Sequence, residues 1–277
     1  MTLLHRFFLP LCLFLAVPAF AQSPPDASKL LLPGESLVIN GRPAFIFLPA
    51  EEKRTDPQPW IMYGPTLLPQ YPDKHEKWMH EKFTAAGIAV AGIDAGEAYG
   101  SPYGQNLMSA LYEHLVKEKG FDPKPCLLGR SRGGLWASSW AIANPDKVAG
   151  IAGIYPVFDL RSYPGLEKAA PAYKLSTEQF EVQLDKHNPI AKAQVLAKAK
   201  IPVFIIHGDV DKVVPLEPNS QALAETYHQH QAADQIELVV AEGQGHNMWE
   251  GFFRSQKLVD FAIARAKEGA QPKTSAE

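Results

Sequence analysis

PCLLGRSRGG, residues 125–134, contains the most informative pattern for predicting the fold. Its first four residues are apolar and predict a short buried strand, and the mainly apolar run at 135–143 predicts a helix directly after it. Between the two stands G-x-S-x-G, in which a sharp turn from strand to helix lifts the serine hydroxyl clear of the sheet. Glycine is needed at 129 and 133 because a Cβ at either position would collide with the neighbouring strand and helix. The pattern predicts that Ser131 is exposed as a nucleophile.

Two predicted strands further along the chain end in loops that carry an acid and a histidine. The buried run IPVFII leads into HGDVDKVVP at 207–215, and the run IELVV leads into GQGH at 243–246. Ligands and catalytic groups collect at the carboxyl ends of the strands in open α/β sheets. We therefore expect Ser131, Asp211 and His246 to lie together at one edge of the sheet.

The loop at 207–215 offers two carboxylates for the same role. The spacing to the Val-Pro pair at 214–215 favours Asp211 as the acid beside the histidine. Asp209 is then expected to be a turn residue that bonds its own loop. His207 is expected to order the loop rather than to take part in chemistry.

From about residue 35 to residue 267 the chain resembles the α/β-hydrolase superfamily, most closely its dienelactone hydrolase and prolyl oligopeptidase-like branch. The resemblance rests on the serine motif, on H-G-x-x-D-x-x-V-P at 207–215 and on G-x-G-H at 243–246, in the chain order Ser, Asp, His. It implies a serine hydrolase with Ser131 as nucleophile, Asp211 as orienting acid and His246 as general base. These roles fit the chemistry, because serine attacks a carbonyl only when a base takes its proton.

The oxyanion formed by that attack needs two or more hydrogen-bond donors. We expect one to be the backbone N–H of Arg132, the residue after the nucleophile. In the superfamily a glycine-rich loop after the third strand often supplies the second donor, but here that place holds YGPT at 63–66, and Pro65 has no N–H. Two candidates remain, the backbone of Thr66 and the hydroxyl of Tyr63. We favour Tyr63, because a tyrosine at a similar place donates in prolyl oligopeptidase-like enzymes.

Two arginines flank the serine, which is an unusual amount of positive charge for such a turn. Arg130 and Arg132 either recognise a carboxylate on the substrate or form ion pairs with Asp94 and Glu97 of the loop after the fourth predicted strand. Aromatic residues near these loops suit sugar or phenolic groups. The candidate substrate-binding residues are Arg130, Asp94, Glu97, Tyr99 and Trp249.

The order of apolar runs and helical segments along the rest of the chain predicts an α/β fold with a mostly parallel, doubly wound sheet of the α/β-hydrolase type. Apolar runs alternate with helical segments in units of about 30 residues, which favours parallel strands with crossover helices. At the start, two strands split by Asn40-Gly41 predict an antiparallel hairpin. At 156–200 the alternation lapses, and we expect a small cap insertion there.

The ends of the chain predict an exported protein. Residues 1–21 have a basic start, an apolar stretch and an A-x-A site, which is typical of a secretory signal peptide. We expect a loose leader at 22–34, the hydrolase domain at 35–268 and a tail at 269–277. The protein is then secreted or periplasmic, and the mature chain keeps one cysteine, Cys126, which cannot form an internal disulfide.

The sequence thus predicts a secreted serine hydrolase that cleaves a carboxylic ester through an acyl-enzyme, with carbohydrate or aromatic-acid esters as candidate substrates. An oligopeptidase-like serine peptidase is the alternative, although the ~100 residues before the predicted strand that leads to Ser131 leave no room for a propeller domain. A binding module without catalysis is the third hypothesis. A net charge of −3 predicts neither nucleic acid nor membrane as a partner. We expect no cofactor and no metal, and the oligomeric state stays open.

Overall fold

A computed structural model describes residues 26–269 of the chain. The predicted signal peptide and most of the predicted C-terminal tail lie outside the described residues, as does the first part of the leader. Within residues 26–269 no helix is both long and apolar enough to cross a membrane.

Eight strands form one sheet in the spatial order β1-β2-β4-β3-β5-β6-β7-β8. The first two strands and the β2–β4 pair are antiparallel, and every other neighbouring pair is parallel. The strands are β1 (Gly34–Ile39), β2 (Arg42–Phe47), β3 (Trp60–Gly64), β4 (Ala89–Ile93), β5 (Cys126–Arg130), β6 (Gly150–Ile154), β7 (Val203–Gly208) and β8 (Ile236–Ala241).

The N-terminal hairpin is confirmed. Ile39 pairs with Arg42, and the two residues between them have positive φ angles, 49° at Asn40 and 74° at Gly41. Asn and Gly tolerate that conformation, and turns of this kind match the twist of the flanking strands. The hairpin adds an antiparallel edge to a sheet whose other strands need crossover connections.

Helices cover both faces of the sheet. The helices are α1 (Lys77–Ala85), α2 (Pro102–Glu113), α3 (Gly133–Ala143), α4 (Leu166–Ala169), α5 (Thr177–Val182), α6 (Leu184–His187), α7 (Gln194–Lys198), α8 (Ala222–Gln229), α9 (Glu250–Phe253) and α10 (Gln256–Gly269). One apolar cluster joins α1, α9 and α10 to one face of the sheet, and a second joins α2, α3, α7 and α8 to the other face. Strands β3 to β7 are buried at every residue, as expected for a sheet covered on both sides. The predicted α/β-hydrolase type of fold is confirmed.

The segment at 156–200 departs from the βα alternation and contains the short helices α4 to α7. Its apolar residues form a third cluster with Leu135 of α3 and with Tyr99 and Val214 of two loops. The segment therefore packs beside the loops that follow β4, β5 and β7. It also brings Tyr163 to within 3.5 Å of the Arg132 guanidinium.

Candidate active site

The turn between β5 and α3 holds Ser131 in a left-handed conformation, with a φ angle of 52°. That conformation costs a residue with a side chain roughly 1–2 kcal/mol, so the surrounding contacts must enforce it. The Ser131 N–H donates to the carbonyl of Ile154 at 2.9 Å, and the Ser131 carbonyl accepts from Gly134 and Val157 at 2.9 Å each. Three backbone hydrogen bonds thus lock the turn.

The two flanking glycines are required by close packing, as predicted. A Cβ at Gly133 would lie 2.0 Å from the carbonyl oxygen of Gly64 in β3. A Cβ at Gly129 would lie 3.0 Å from the Cα of Gly134 in α3. The turn that carries Ser131 therefore packs closely against the neighbouring strand β3 and against α3.

The serine, the histidine and the acid predicted to converge lie in one hydrogen-bonded line. The Oγ of Ser131 is 2.9 Å from Nε2 of His246, and Nδ1 of His246 is 2.7 Å from Oδ2 of Asp211. The ring of Tyr155, which follows β6, lies 4.3 Å from the imidazole, centroid to centroid. The imidazole is therefore held at both nitrogens and packed on one face.

Asp211 is built to remain an anion. Its side chain is fully buried, and its Oδ1 accepts hydrogen bonds from the N–H groups of Val213 and Val214 at 2.9 Å each. Burial alone would raise the pKa of Asp211, but the hydrogen bonds from His207, His246 and the backbone outweigh it and hold that pKa well below its usual range. An ionised carboxylate here fixes the tautomer of the imidazole and stabilises the imidazolium.

The neighbouring residues of the same loop have supporting contacts. Nδ1 of His207 is 2.7 Å from Oγ of Ser220, and Nε2 is 2.8 Å from the carbonyl oxygen of Val214, so this ring orders the loop. Asp209 accepts a hydrogen bond from the N–H of Gly243 at 2.7 Å. It therefore bonds the loop that carries His246 rather than its own loop, and it does not contact the imidazole.

Tyr63 requires a correction. Its side chain is buried in the apolar cluster on the α1 face, and its hydroxyl donates to Oε1 of Glu76 at 2.7 Å. The hydroxyl proton is thus bound to a buried carboxylate and is not directed at an oxyanion, so the prediction for Tyr63 is wrong. The central strand β3 is buried on both faces, and its sequence could not indicate which face Tyr63 would take.

The two remaining oxyanion candidates are differently placed. Arg132 is the residue before the first turn of α3, and no hydrogen bond from its N–H to the described backbone is found. Thr66 is 2% exposed, and its hydroxyl donates to the carbonyl of Tyr63 at 3.3 Å. The role of the Thr66 backbone stays a prediction.

Arg130 requires a second correction, because it pairs with neither Asp94 nor Glu97. Its side chain is 3% exposed, and its Nη1 lies 2.8 Å from Oδ2 of Asp73 and 2.7 Å from Oε2 of Glu76. Its guanidinium also lies over the rings of Tyr71 and Phe253, at 5.0 Å and 4.9 Å. A buried cation with two carboxylate partners cannot be reached by a substrate, so Arg130 is not a binding residue.

Arg132 is the arginine that matches the predicted ion pair. Its Nε lies 3.4 Å from a carboxylate oxygen of Glu97, whose side chain is 47% exposed. Asp94 instead pairs with Arg42 at 2.8 Å and accepts a hydrogen bond from the N–H of Gly96. Of the two acids predicted to pair with Arg130 and Arg132, Glu97 thus pairs with Arg132, and Asp94 pairs with Arg42.

The aromatic candidates differ in exposure. Tyr99 is 3% exposed and belongs to the third cluster, and its carbonyl accepts from the hydroxyl of Tyr173 at 2.7 Å. Burial first, and then the charge of Glu97, raise the pKa of the Tyr99 hydroxyl above its usual value. Trp249, three residues after His246, is 43% exposed and lies edge-on to Phe252. Of the two, Trp249 has a free surface to offer a substrate.

Sequence reasoning missed the acids that hold Arg130. Asp73 and Glu76 are more than 50 residues away along the chain and stand at the start of α1, where acids commonly cap helices. Burial raises the pKa of Glu76, although Arg130 and two hydrogen bonds oppose that shift. The pattern D-x-x-E before a helix therefore carried no sign of this role.

Met248 was also missed. Its Sδ lies 3.2 Å from Nη2 of Arg130, so the side chain ties the loop of His246 to the residue before the nucleophile. Nothing in the sequence near position 248 indicates this contact. The arrangement as a whole is able to transfer a proton from Ser131 to His246 while the serine attacks a carbonyl.

Solved structures with the same fold include two peptidases and a protein named Est1E. A puromycin-hydrolyzing peptidase from Mycobacterium tuberculosis is 19% identical, with a TM-score of 0.64, over 88% of this chain and 40% of that chain. Est1E from Butyrivibrio proteoclasticus is 19% identical, with a TM-score of 0.61, over 85% of this chain and 98% of that chain. An acylaminoacyl peptidase from Pyrococcus horikoshii is 15% identical, with a TM-score of 0.61, over 82% of this chain and 41% of that chain.

The chain spans about 40% of the length of the peptidases to which it is similar and nearly all of the length of Est1E. No curated protein sequence matches it significantly. The prolyl oligopeptidase family of peptidases, S9, matches residues 83–264, which include the serine, the acid and the histidine described above. The match covers well over half of the 277 residues, and the chain belongs to the prolyl oligopeptidase family within the α/β-hydrolase superfamily.

Proposed function

We propose that this serine hydrolase is an exported esterase that cleaves carboxylic esters through an acyl-enzyme. The observation that carries the proposal is the line of contacts from Ser131 through His246 to Asp211, at 2.9 Å and 2.7 Å. Export is supported by the pattern of residues 1–21.

In the first half of the proposed reaction, Oγ of Ser131 attacks the ester carbonyl while Nε2 of His246 takes its proton. The N–H of Arg132 and the positive end of α3 stabilise the oxyanion that forms. The imidazolium then gives its proton to the departing alcohol, and an acyl group remains on Ser131. In the second half, His246 removes a proton from water while the water oxygen attacks the acyl carbon. The bond from that carbon to Oγ of Ser131 then breaks, the imidazolium returns its proton to Oγ, and the acid leaves.

An ester fits this site better than an amide because of the leaving group. An alcohol departs more readily than an amine, which must first be protonated and held in place. Such positioning contributes much of the rate of amide cleavage.

The test is a panel of substrates with one acyl group and different leaving groups. Purified protein is given 4-nitrophenyl esters of two to eight carbons, alkyl esters of the same acids, acetylated and feruloylated sugars, and aminoacyl 4-nitroanilides. We expect kcat/KM for the esters to exceed that for the anilides by about 100-fold or more, with loss of all activity in Ser131→Ala. Cleavage of the anilides at or above the rate of the esters would contradict the proposal.

A peptidase is the second candidate, and the family match at 83–264 favours it. It differs from the esterase in its dependence on contacts remote from the scissile bond, which a peptide substrate uses to gain rate. The same panel, extended with longer peptides, separates the two, because a peptidase would cleave those peptides faster than the single aminoacyl anilides. An esterase would show no such gain with length.

A further inference from the structure

The guanidinium of Arg132 is incompletely satisfied although it is attached to the residue after the nucleophile. Its contacts with the described part of the chain are the ion pair with Glu97 at 3.4 Å, a hydrogen bond with the Tyr163 hydroxyl at 3.5 Å and the Tyr71 ring at 5.6 Å. Its Nε is buried and forms no hydrogen bond with the described residues. Guanidinium has five N–H donors, and within the described residues one of them, on Nη1, forms a hydrogen bond.

The place of this cation is favourable to an anion. The side chain is 20% exposed, which leaves it accessible but partly shielded from water, and charged interactions are stronger there than on an open surface. It stands at the N-terminal end of α3, a helix of 11 residues, where the aligned peptide dipoles add positive potential. The ring of Tyr71 lies over it, which orients a planar fork.

Glu97 is a weak competitor for this cation. At 47% exposure its carboxylate is largely hydrated, and ion pairs of this kind contribute little free energy. No hydrogen bond to Arg132 fixes it in the described structure, so it can turn into solvent when another carboxylate arrives. Arg130, by contrast, is closed to ligands by Asp73 and Glu76.

We propose that Arg132, with the hydroxyl of Tyr163 and the ring of Tyr71, binds a carboxylate on the substrate. This inference rests on the proposed function and gives it a substrate class, an ester that carries a free carboxylate on its acyl or its alcohol part. The guanidinium donates two parallel N–H bonds to the carboxylate, and the Tyr163 hydroxyl donates a third. The substrate charge displaces Glu97 and anchors the ester beside Ser131.

The test uses esters that differ only in the group at the end of one arm. On the acyl side they are monoethyl esters of the C4 to C6 diacids, the ethyl esters of alkanoic acids of equal length, and ethyl esters of the matching ω-amino acids. On the alcohol side they are the acetate esters of three kinds of alcohol of equal length. The alcohols end in a carboxylate (ω-hydroxy acids), in a methyl group or in an ammonium group. The readout is the ratio of kcat/KM for the anionic ester to that for the neutral one.

We expect the wild-type ratio to exceed one in at least one of the two series and to fall about 10- to 100-fold in Arg132→Gln, as for the loss of a charge-assisted hydrogen bond. Arg132→Lys should recover only part of it, because ammonium cannot form the fork. Glu97→Gln should raise the ratio about threefold, since it removes the competing carboxylate. The two neutralising variants therefore act in opposite directions.

The inference is overturned if Arg132→Gln leaves the ratio within twofold in both series while neutral esters are cleaved. It is also overturned if the ammonium-ended esters are preferred and Glu97→Gln abolishes that preference, which would give the site to Glu97. A failure of the proposed function has another signature, because then no ester in either series is cleaved and the ratio does not exist.

Discussion

Arg130 and Arg132 stand on either side of one serine, and the structure treats them in opposite ways. Arg130 points into the protein, where two carboxylates hold its guanidinium at 2.7 Å and 2.8 Å. Arg132 points to the loops outside, where its nearest carboxylate is 3.4 Å away and 47% exposed. The difference teaches that charge next to a nucleophile is not by itself evidence of substrate recognition. Burial and the number of satisfied donors separate the structural arginine from the one that is free to bind.

The contrast follows from the turn itself. Arg130 is the last residue of β5, so its side chain extends from a strand that is buried on both faces. Arg132 lies after the positive φ of Ser131, which reverses the chain direction and turns the next side chain outward. Because a buried cation needs partners, Asp73, Glu76 and Met248 gather around Arg130.

The largest effect should come from making the same substitution on both sides of the serine. Arg130→Met leaves the buried carboxylate of Glu76 and the partly buried one of Asp73 without their cation, and it should lower the free energy of unfolding by about 3 kcal/mol. Arg132→Met breaks one ion pair with a carboxylate that is 47% exposed and should cost less than about 1 kcal/mol. Urea unfolding of both variants measures the difference. Equal losses in the two variants would remove the distinction between them.

A second prediction tests how completely water is excluded from the region around Arg130. His80 is fully buried against Tyr63 and Phe83, and burial lowers its pKa from 6.5 to about 3. Its folded pKa lies below its unfolded pKa, so the unfolded chain binds the extra proton between these values and stability falls as pH drops from about 6.5 towards 3. The loss is at most about 1.4 kcal/mol per pH unit, or roughly 2 kcal/mol at pH 5.

His80→Phe should remove this part of the pH dependence, because phenylalanine fits the same apolar site and does not titrate. The measurement is the difference in free energy of unfolding between wild type and variant at several values between pH 8 and pH 5. A difference that stays constant with pH would mean that His80 takes up its proton in the folded protein.

The smallest effect concerns the Tyr63 hydroxyl, which donates a hydrogen bond to Glu76. Tyr63→Phe removes one hydrogen bond to a buried carboxylate and should cost about 1–2 kcal/mol of stability. Because the hydroxyl donates its proton to Glu76, the turnover rate should stay within twofold of the wild-type value. If turnover instead slowed about 100-fold while stability was unchanged, Tyr63 would return to the oxyanion site.

Much of the fold could be predicted because most strands contain a short apolar run that is followed by a turn signal. The site residues in the loops after β5, β7 and β8 could also be predicted, because serine, acid and histidine stand there in a distinctive order beside glycines. The direction of Tyr63 could not be read, because a strand covered on both faces shows no alternation.

The partners of Arg130 escaped prediction for another reason. An arginine is expected at the surface, and the acids that bury it come from a helix start more than 50 residues earlier. Contacts of that separation depend on the packing of α1 against the sheet, which no local pattern records. The assignment of Arg132 to Glu97 was accessible because the two loops follow the carboxyl ends of β5 and β4, which lie on either side of β3.

The most direct measurement is the rate and the site of labelling by a fluorophosphonate, read by intact mass and peptide mapping. We expect one adduct per chain, on Ser131, and a labelling rate at least about 1,000-fold lower in His246→Ala, whose fold is checked by circular dichroism. An adduct on another residue, or a His246→Ala variant labelled as fast as wild type, would show that Ser131 and His246 do not act as nucleophile and base.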